Sequence, residues 1–253
     1  MGFLKKRGIV FGVCLLAILL VSGYAVYAIE KISKAKLAGQ KQIEMINNPS
    51  GDVIVSMADF NITQDLIDQN KAGYDAFSGA IMSDTEIINR LLKDHILYND
   101  AVKAGVTASD DEIDSIIKLQ QNSLQMARDA IAQGSLDEQS ISAYTNFMGY
   151  LSGLGMTEDE FFNFARPIYE NMIYCGKFKS QLKDEFSKNN AFADQAALND
   201  AFNAYLDKYL TDQMKDTNIT IYDPQLESSV DEILGFPADE AKLTFDFDNA
   251  ASK

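Results

Sequence analysis

Residues 8–29 form an uncharged and strongly apolar run close to the amino terminus. Its 22 residues would span the ~30 Å hydrocarbon core of a bilayer as a helix, at ~1.5 Å per residue. The basic residues 5–7 precede the run, as is typical of a signal sequence. The run therefore predicts a transmembrane signal anchor. A cleaved signal peptide, cut after Ala25 or Ala28, is the alternative.

Charge divides the chain into a basic head and an acidic body. Residues 1–46 hold seven basic and two acidic side chains, which give a net charge of +5. The whole chain carries −15, so the remainder carries −20. Basic residues flank the apolar run on both sides in similar numbers, so the positive-inside rule does not by itself give the orientation. The short head favours a cytoplasmic segment 1–7 and an extracytoplasmic body, which would be secreted if the signal is cleaved.

Composition excludes several classes of site. A net charge of −15 argues against a nucleic-acid partner, because a phosphate backbone requires clustered Lys and Arg. One His and two Cys are too few for a zinc site or a disulfide framework. We therefore predict no catalytic residue, no metal and no cofactor.

The acidic body is predicted to be mostly helical, because apolar residues recur at spacings of three and four behind helix-capping residues. Three capping boxes open helices, namely Ser83 with Glu86, Ser109 with Glu112, and Thr157 with Glu160. Gly105 supplies a stop for the first of these helices. Further helices are predicted from Gln64 and over about 137–151 and 194–214. Two short β-strands are predicted at 52–57 and 217–222, where β-branched residues dominate.

These patterns predict five segments along the chain. They are a basic head (1–7), a transmembrane signal anchor (8–29), a juxtamembrane stalk and linker (30–51), a helical domain (52–223) and an acidic tail (224–253). The tail is predicted to be partly disordered, because it shows no sustained hydrophobic period.

Several stretches of the body carry a family resemblance. Residues 91–106 end in an Ala-x-x-x-Gly-Val turn, and residues 109–114 (SDDEID) follow as a capped helix start. Residues 53–63 form a strand and turn upstream, and residues 202–221 a closing helix and strand. Together they resemble the N-terminal chaperone domain of SurA- and PrsA-type foldases, over roughly 50–222.

The resemblance implies a helical domain that holds unfolded chains. Many relatives also carry a parvulin-type prolyl isomerase domain, whose site uses a pair of His residues. This chain has His95 alone and no segment with the mixed pattern of that domain. The resemblance therefore implies the holding domain without the isomerase. His95 itself is predicted to be a core or boundary residue on an apolar helix face.

Residues 144–164 mix Tyr, Phe and Met side chains with three glycines. Large, adaptable apolar groups on a flexible backbone suit a surface that accepts varied peptides. We therefore predict a peptide-binding groove here, and the alternative is that these side chains fill the core. The candidate peptide-binding residues are Phe147, Met148, Tyr150, Leu151, Leu154, Met156, Phe161 and Phe162.

Three functions are compared on this basis. The first is a membrane-anchored extracytoplasmic chaperone-like protein that binds unfolded or newly exported polypeptides without isomerase chemistry. The second is an envelope adaptor or structural protein that binds one fixed folded partner. The third is an enzyme, which is disfavoured because the acidic clusters 110–112 and 158–160 lie in first helical turns, where they complement the helix dipole.

Overall fold

The computed structural model describes residues 28–48 and 51–248. The head (1–7) and all but the last two residues of the predicted anchor (8–29) lie outside these ranges, so the anchor stays a prediction. Over the described ranges, no helix combines the length and the apolar character needed to cross a membrane.

The described chain is mostly helical, as predicted. Its α-helices are α1 (Ala28–Asn47), α2 (Gln64–Ser78), α3 (Asp84–Lys103), α4 (Asp110–Ala132), α5 (Glu138–Leu154), α6 (Glu158–Lys188), α7 (Gln195–Asp216) and α8 (Val230–Leu234). Two 3₁₀ helices, Pro224–Ser229 and Ala238–Glu240, lie either side of α8.

The predicted capping residues begin the helices that follow them. At α4, the Glu112 amide donates to Ser109 Oγ at 3.2 Å, and the Ser109 amide donates to Glu112 Oε2 at 2.8 Å. The same reciprocal pair of bonds begins α3 at Ser83 and α6 at Thr157. Gly105 follows α3 with a left-handed φ of 73°. The structure therefore confirms these predicted helix starts. They could be predicted because all the residues of each capping box lie within four positions of the sequence.

A four-stranded sheet has the order β2-β1-β3-β4 and joins strands from opposite ends of the described chain. Its strands are β1 (Val53–Met57), β2 (Phe60–Thr63), β3 (Asn218–Ile221) and β4 (Lys242–Phe245). β1 runs antiparallel to β3, with Val55 opposite Ile221, and β3 runs parallel to β4. The predicted strands correspond to β1 and β3, whereas β2 and β4 were not predicted.

The described residues divide into two compact units, each built from separate stretches of chain. The first unit comprises the described residues up to Gly51, with Thr63–Ile87 and Ser109–Glu170. The second unit comprises Asp52–Ile62, Ile88–Ala108 and the described residues from Asn171 onward. The chain from 52 to 223, predicted as one domain, therefore contributes to both units.

The segment predicted as a stalk (30–51) is part of the first unit. Residues 28–47 form α1, which buries Ala35, Ala38 and Gln42 and packs against α5 and α2. Stalk residues would be solvated, and these side chains are not. Ala35 and Ala38 gave no clear sign of this buried face in the sequence, because alanine contributes little to an apolar period.

The predicted tail (224–253) also differs from expectation, because its described part, 224–248, is structured. It forms two 3₁₀ helices, α8 and β4. Val230, Ile233 and Leu234 are buried. Their i, i+3, i+4 spacing covers a single helical turn, which is too short to give a sustained period in the sequence.

Candidate functional site

The predicted peptide-binding residues lie on α5, at the start of α6 and in the turn that joins these helices. Six of them are buried, namely Phe147, Tyr150, Leu151, Leu154, Phe161 and Phe162, and each is at most 4% exposed. Met148 and Met156 are half-buried. An open groove needs accessible walls, so the six buried side chains are core residues in this conformation, and the prediction of an open groove is corrected.

An aromatic cluster explains this burial. Phe161 packs edge-on against Phe147 at 5.3 Å between ring centroids, against Phe162 at 5.6 Å and against Tyr150 at 6.3 Å. Tyr150 also meets Phe77 of α2 edge-on at 5.5 Å. Edge-to-face pairs of this kind add about 0.5–1.5 kcal/mol each beyond the area that they bury. The cluster therefore holds α2, α5 and α6 of the first unit together.

Helix α1 lies in backbone contact with α5, and two glycines make this possible. A Cβ added to Gly39 would lie 2.3 Å from the Tyr150 carbonyl oxygen. A Cβ added to Gly153 would lie 2.1 Å from the Lys36 carbonyl oxygen. Gly153 was predicted to give a flexible backbone, and it serves close packing instead. Gly155 ends α5 in a left-handed conformation with a φ of 67°.

The same helices bury polar groups that lack partners. Gln42 of α1 is fully buried, and neither its Oε1 nor its Nε2 has a hydrogen-bond partner among the described residues. On α5, Asn146 Oδ1 and the Tyr150 hydroxyl are likewise buried without a partner in the described chain. Burial raises the pKa of Tyr150. Each such group costs about 1–3 kcal/mol relative to a satisfied one.

Accessible apolar side chains lie on α4 instead. Leu119 is 62% exposed and Met126 is 72% exposed. Seven residues separate them, which places both on one face of the helix. The opposite side of α4 buries Ile113, Gln120 and Leu124. The face marked by Leu119 and Met126, which we call the α4 face, offers apolar contact to another molecule.

The surroundings of α4 are strongly polar. Arg128 donates to Glu158 Oε1 at 2.5 Å and to the Tyr144 hydroxyl at 3.3 Å. Arg166 donates to Asp110 and Asp114. The acidic clusters at the starts of α4 and α6 therefore supply helix caps and ion-pair partners. Among the described residues, no group of three or more His, Cys, Asp or Glu side chains is placed to hold a metal.

His95 lies in the second unit. It was predicted to be a core or boundary residue on an apolar helix face, and the structure buries it. It is 3% exposed and stacks on Phe60, with 4.5 Å between ring centroids. Its Nε2 lies 2.8 Å from Asn99 Nδ2 and 3.2 Å from Asp59 Oδ1. These contacts join α3 to the turn between β1 and β2, so His95 has a structural role in this unit.

Cys175 is half-buried on α6 in the second unit. Burial is the main cause that raises the pKa of its thiol to about 12, and the nearby Asp94 adds to the shift. The thiolate is the reactive form of cysteine, so this thiol is unreactive at neutral pH.

A polar surface pocket of about 250 Å³ lies between the end of α1 and the start of α2. Lys41, Glu44, Met45, Asn48, Asp65, Asp68 and Gln69 line it. Its carboxylates have local roles, since Asp68 accepts a bond from Gln64 at 2.9 Å and Asp65 lies in the first turn of α2. The pocket therefore carries no independent sign of a ligand.

Two features of the first unit escaped sequence reasoning. The small residues Ala35, Ala38 and Gly39 on one helix were the available signal for the contact between α1 and α5. The α4 face had a weaker signal. Leu119 and Met126 do not belong to the apolar stripe of α4 that starts at Ile113, which indicates that they lie outside the buried side of the helix. Compared with known proteins, the chain matches no protein-family model, no curated protein and no solved structure.

Proposed function

We propose that this chain is a membrane-anchored extracytoplasmic chaperone-like protein. It binds unfolded or newly exported polypeptides through apolar contacts, without nucleotide and without isomerase chemistry. The observation that carries the proposal is the α4 face, where Leu119 and Met126 are exposed on an otherwise strongly acidic body. Exposed apolar surface rimmed by polar residues is typical of sites that bind other proteins.

Two further features support this function. The resemblance to SurA- and PrsA-type domains includes the Gly105 turn and the Ser109 cap, and in the structure these join α3 to α4. The acidic surface keeps such a body soluble and favours cationic client segments. The predicted anchor at 8–29 would hold the body beside polypeptides that emerge from the membrane.

The test is photo-crosslinking of the full chain in cells, with a photoreactive residue at position 119 or 126. The structure argues against probes at Tyr150 and Phe162, because those side chains are buried. A probe at Asn203, exposed on α7, is the matched control. We expect many extended exported polypeptides crosslinked at 119 and 126, and few at 203.

Two results would contradict the proposal. A single stoichiometric folded partner at both α4 positions would favour the envelope adaptor. An equal, low yield at 119, 126 and 203 would show that the α4 face contacts no client. In either case the holding function would be abandoned for this surface.

A further inference from the structure

The contact of α1 with α5 combines a close fit with polar groups that the fit leaves unsatisfied. At Gly39 and Gly153 the two backbones touch, which leaves no space for a larger residue. Gln42 on α1, and Asn146 and Tyr150 on α5, bury polar atoms that have no partner within the described residues. Shape therefore favours the contact and desolvation opposes it. A contact of this kind is easier to displace than an apolar one of equal area.

The part of α5 beneath α1 includes two of the predicted peptide-binding residues, Tyr150 and Leu154. Gly39 lies against the backbone at Tyr150 and Leu154, and Gly153 lies against Lys36 and Gln40 of α1. Release of α1 would uncover this stretch of α5. The buried stretch of α5 around Tyr150 and Leu154 would then become accessible.

Helix α1 shows which kind of ligand this surface fits. It has a glycine, Gly39, at the point where it crosses α5, and the buried small residues Ala35 and Ala38 lie nearby. A second helix lying in this position must also carry Gly at the crossing point, because a Cβ there would meet the backbone of α5, as it would at Gly39. Small-residue crossings of this type are common in apolar helices.

We propose that α1 is an intramolecular occupant of a second client-binding surface, on α5, and that clients displace it. The client is an apolar helical segment of an unfolded polypeptide, with Gly where it crosses Gly153. This inference rests on the proposed holding function and adds a regulated site to it. Client affinity at this second surface is then set by the hold of α1 on α5, since a site reached through a minor open state binds in proportion to the population of that state.

Two substitutions shift this hold in opposite directions. Gln42→Leu replaces a buried, unbonded amide with an apolar group, so α1 binds α5 more firmly and client affinity falls several-fold. Gly39→Leu inserts a side chain where the backbone of α5 lies, so α1 is displaced and client affinity rises several-fold. The measurement is fluorescence anisotropy of labelled, reduced and carboxymethylated lysozyme, titrated with the full chain in lipid nanodiscs.

Controls separate displacement from unfolding. Gly73→Leu places the same side chain at a helical glycine of α2, where an added Cβ meets nothing within 4 Å, and it should leave affinity unchanged. Circular dichroism checks that each variant keeps its helix content. If the Gly39→Leu variant is unfolded, the client affinity of Gln42→Leu tests the proposal instead. Amide hydrogen exchange of the wild type is a second test, because bound client should increase exchange in residues 34–47.

The outcomes distinguish the two proposals. If the wild type binds the client and both substitutions leave its affinity unchanged, α1 is not a competitor and this inference falls while the holding function stands. Stronger binding by Gln42→Leu would also overturn it. If neither the wild type nor a folded Gly39→Leu variant binds, the holding function itself fails.

Discussion

Buried and half-buried polar side chains differ between the two units of the described chain in how well they are hydrogen-bonded. In the second unit, Asn89 Nδ2 donates to the Ile233 carbonyl oxygen at 2.7 Å. The Tyr209 hydroxyl donates to Asp100 Oδ2 at 2.9 Å. Burial, together with this bond to Asp100, raises the pKa of Tyr209. These bonds tie together segments that are more than 100 residues apart in sequence.

In the first unit, several buried amides have unsatisfied atoms. Gln42, Gln69 and Asn146 each bury at least one oxygen with no partner in the described residues. A satisfied buried network specifies one arrangement, whereas unsatisfied groups reduce the free energy gained on packing. The comparison indicates a second unit built for a fixed structure and a first unit with a weaker hold at α1.

The largest expected effect tests the close contact in the first unit. Gly153→Ala should lower the free energy of unfolding by about 2–3 kcal/mol, because its Cβ would meet the Lys36 carbonyl oxygen and overpack the contact. Gly73→Ala is the matched control, and it should raise stability by about 0.5–1 kcal/mol, since its Cβ is unobstructed and alanine favours helix. Urea denaturation measures both. Equal effects of the two changes would remove the argument for backbone contact.

The next prediction compares one kind of substitution in the two units. Gln42→Leu should stabilise the first unit by about 1–3 kcal/mol, because it removes an unsatisfied buried amide. Asn89→Leu should destabilise the second unit by a similar amount, about 1–3 kcal/mol, because it leaves the Ile233 carbonyl oxygen without its donor. Thermal unfolding followed by circular dichroism gives both signs. Destabilisation by both substitutions would show that the two units do not differ in this respect.

A third prediction concerns how well burial protects the second unit. The pKa of Cys175, raised to about 12 from an ordinary value of 9.0, keeps the thiol protonated at pH 8. In a Cys14→Ser background, alkylation of the folded chain should be at least tenfold slower than that of the urea-unfolded chain. Because the folded pKa is the higher one, the unfolded chain releases this proton first and stability should fall as pH rises above about 9. Rapid alkylation at pH 8 in the folded state would show that the thiol is accessible.

Local signals explain which parts of the fold were predicted. The cap at Ser109 and Glu112 spans four residues, so the pattern contains all of its partners. β4 forms only by pairing with β3, and Ile219 meets Leu243 from 24 residues away. The partner that fixes β4 therefore lies outside the stretch that a local pattern covers.

The candidate site was harder to predict, because it depends on long-range packing. Aromatic residues such as Tyr150 and Phe162 occur both in adaptable binding surfaces and in aromatic cores, so their presence does not distinguish the two. Gly153 would look the same in a flexible loop and in a tight crossing. Only the approach of Gly39, 114 residues earlier in the chain, decides between them.

The smallest expected effect tests whether the two units differ in local structure or only in packing. Ser109 caps α4 in the first unit and Asp194 caps α7 in the second, where its Oδ1 accepts from the Ala197 amide at 2.9 Å. Replacing either residue by Ala should cost about 1 kcal/mol, because both lose one bond to an otherwise free amide at a solvent-exposed helix start. Urea unfolding of the two variants measures this. Equal costs would place the difference between the units in tertiary packing at α1, whereas a much larger cost for Asp194→Ala would mean that the second unit depends more on its local helix ends.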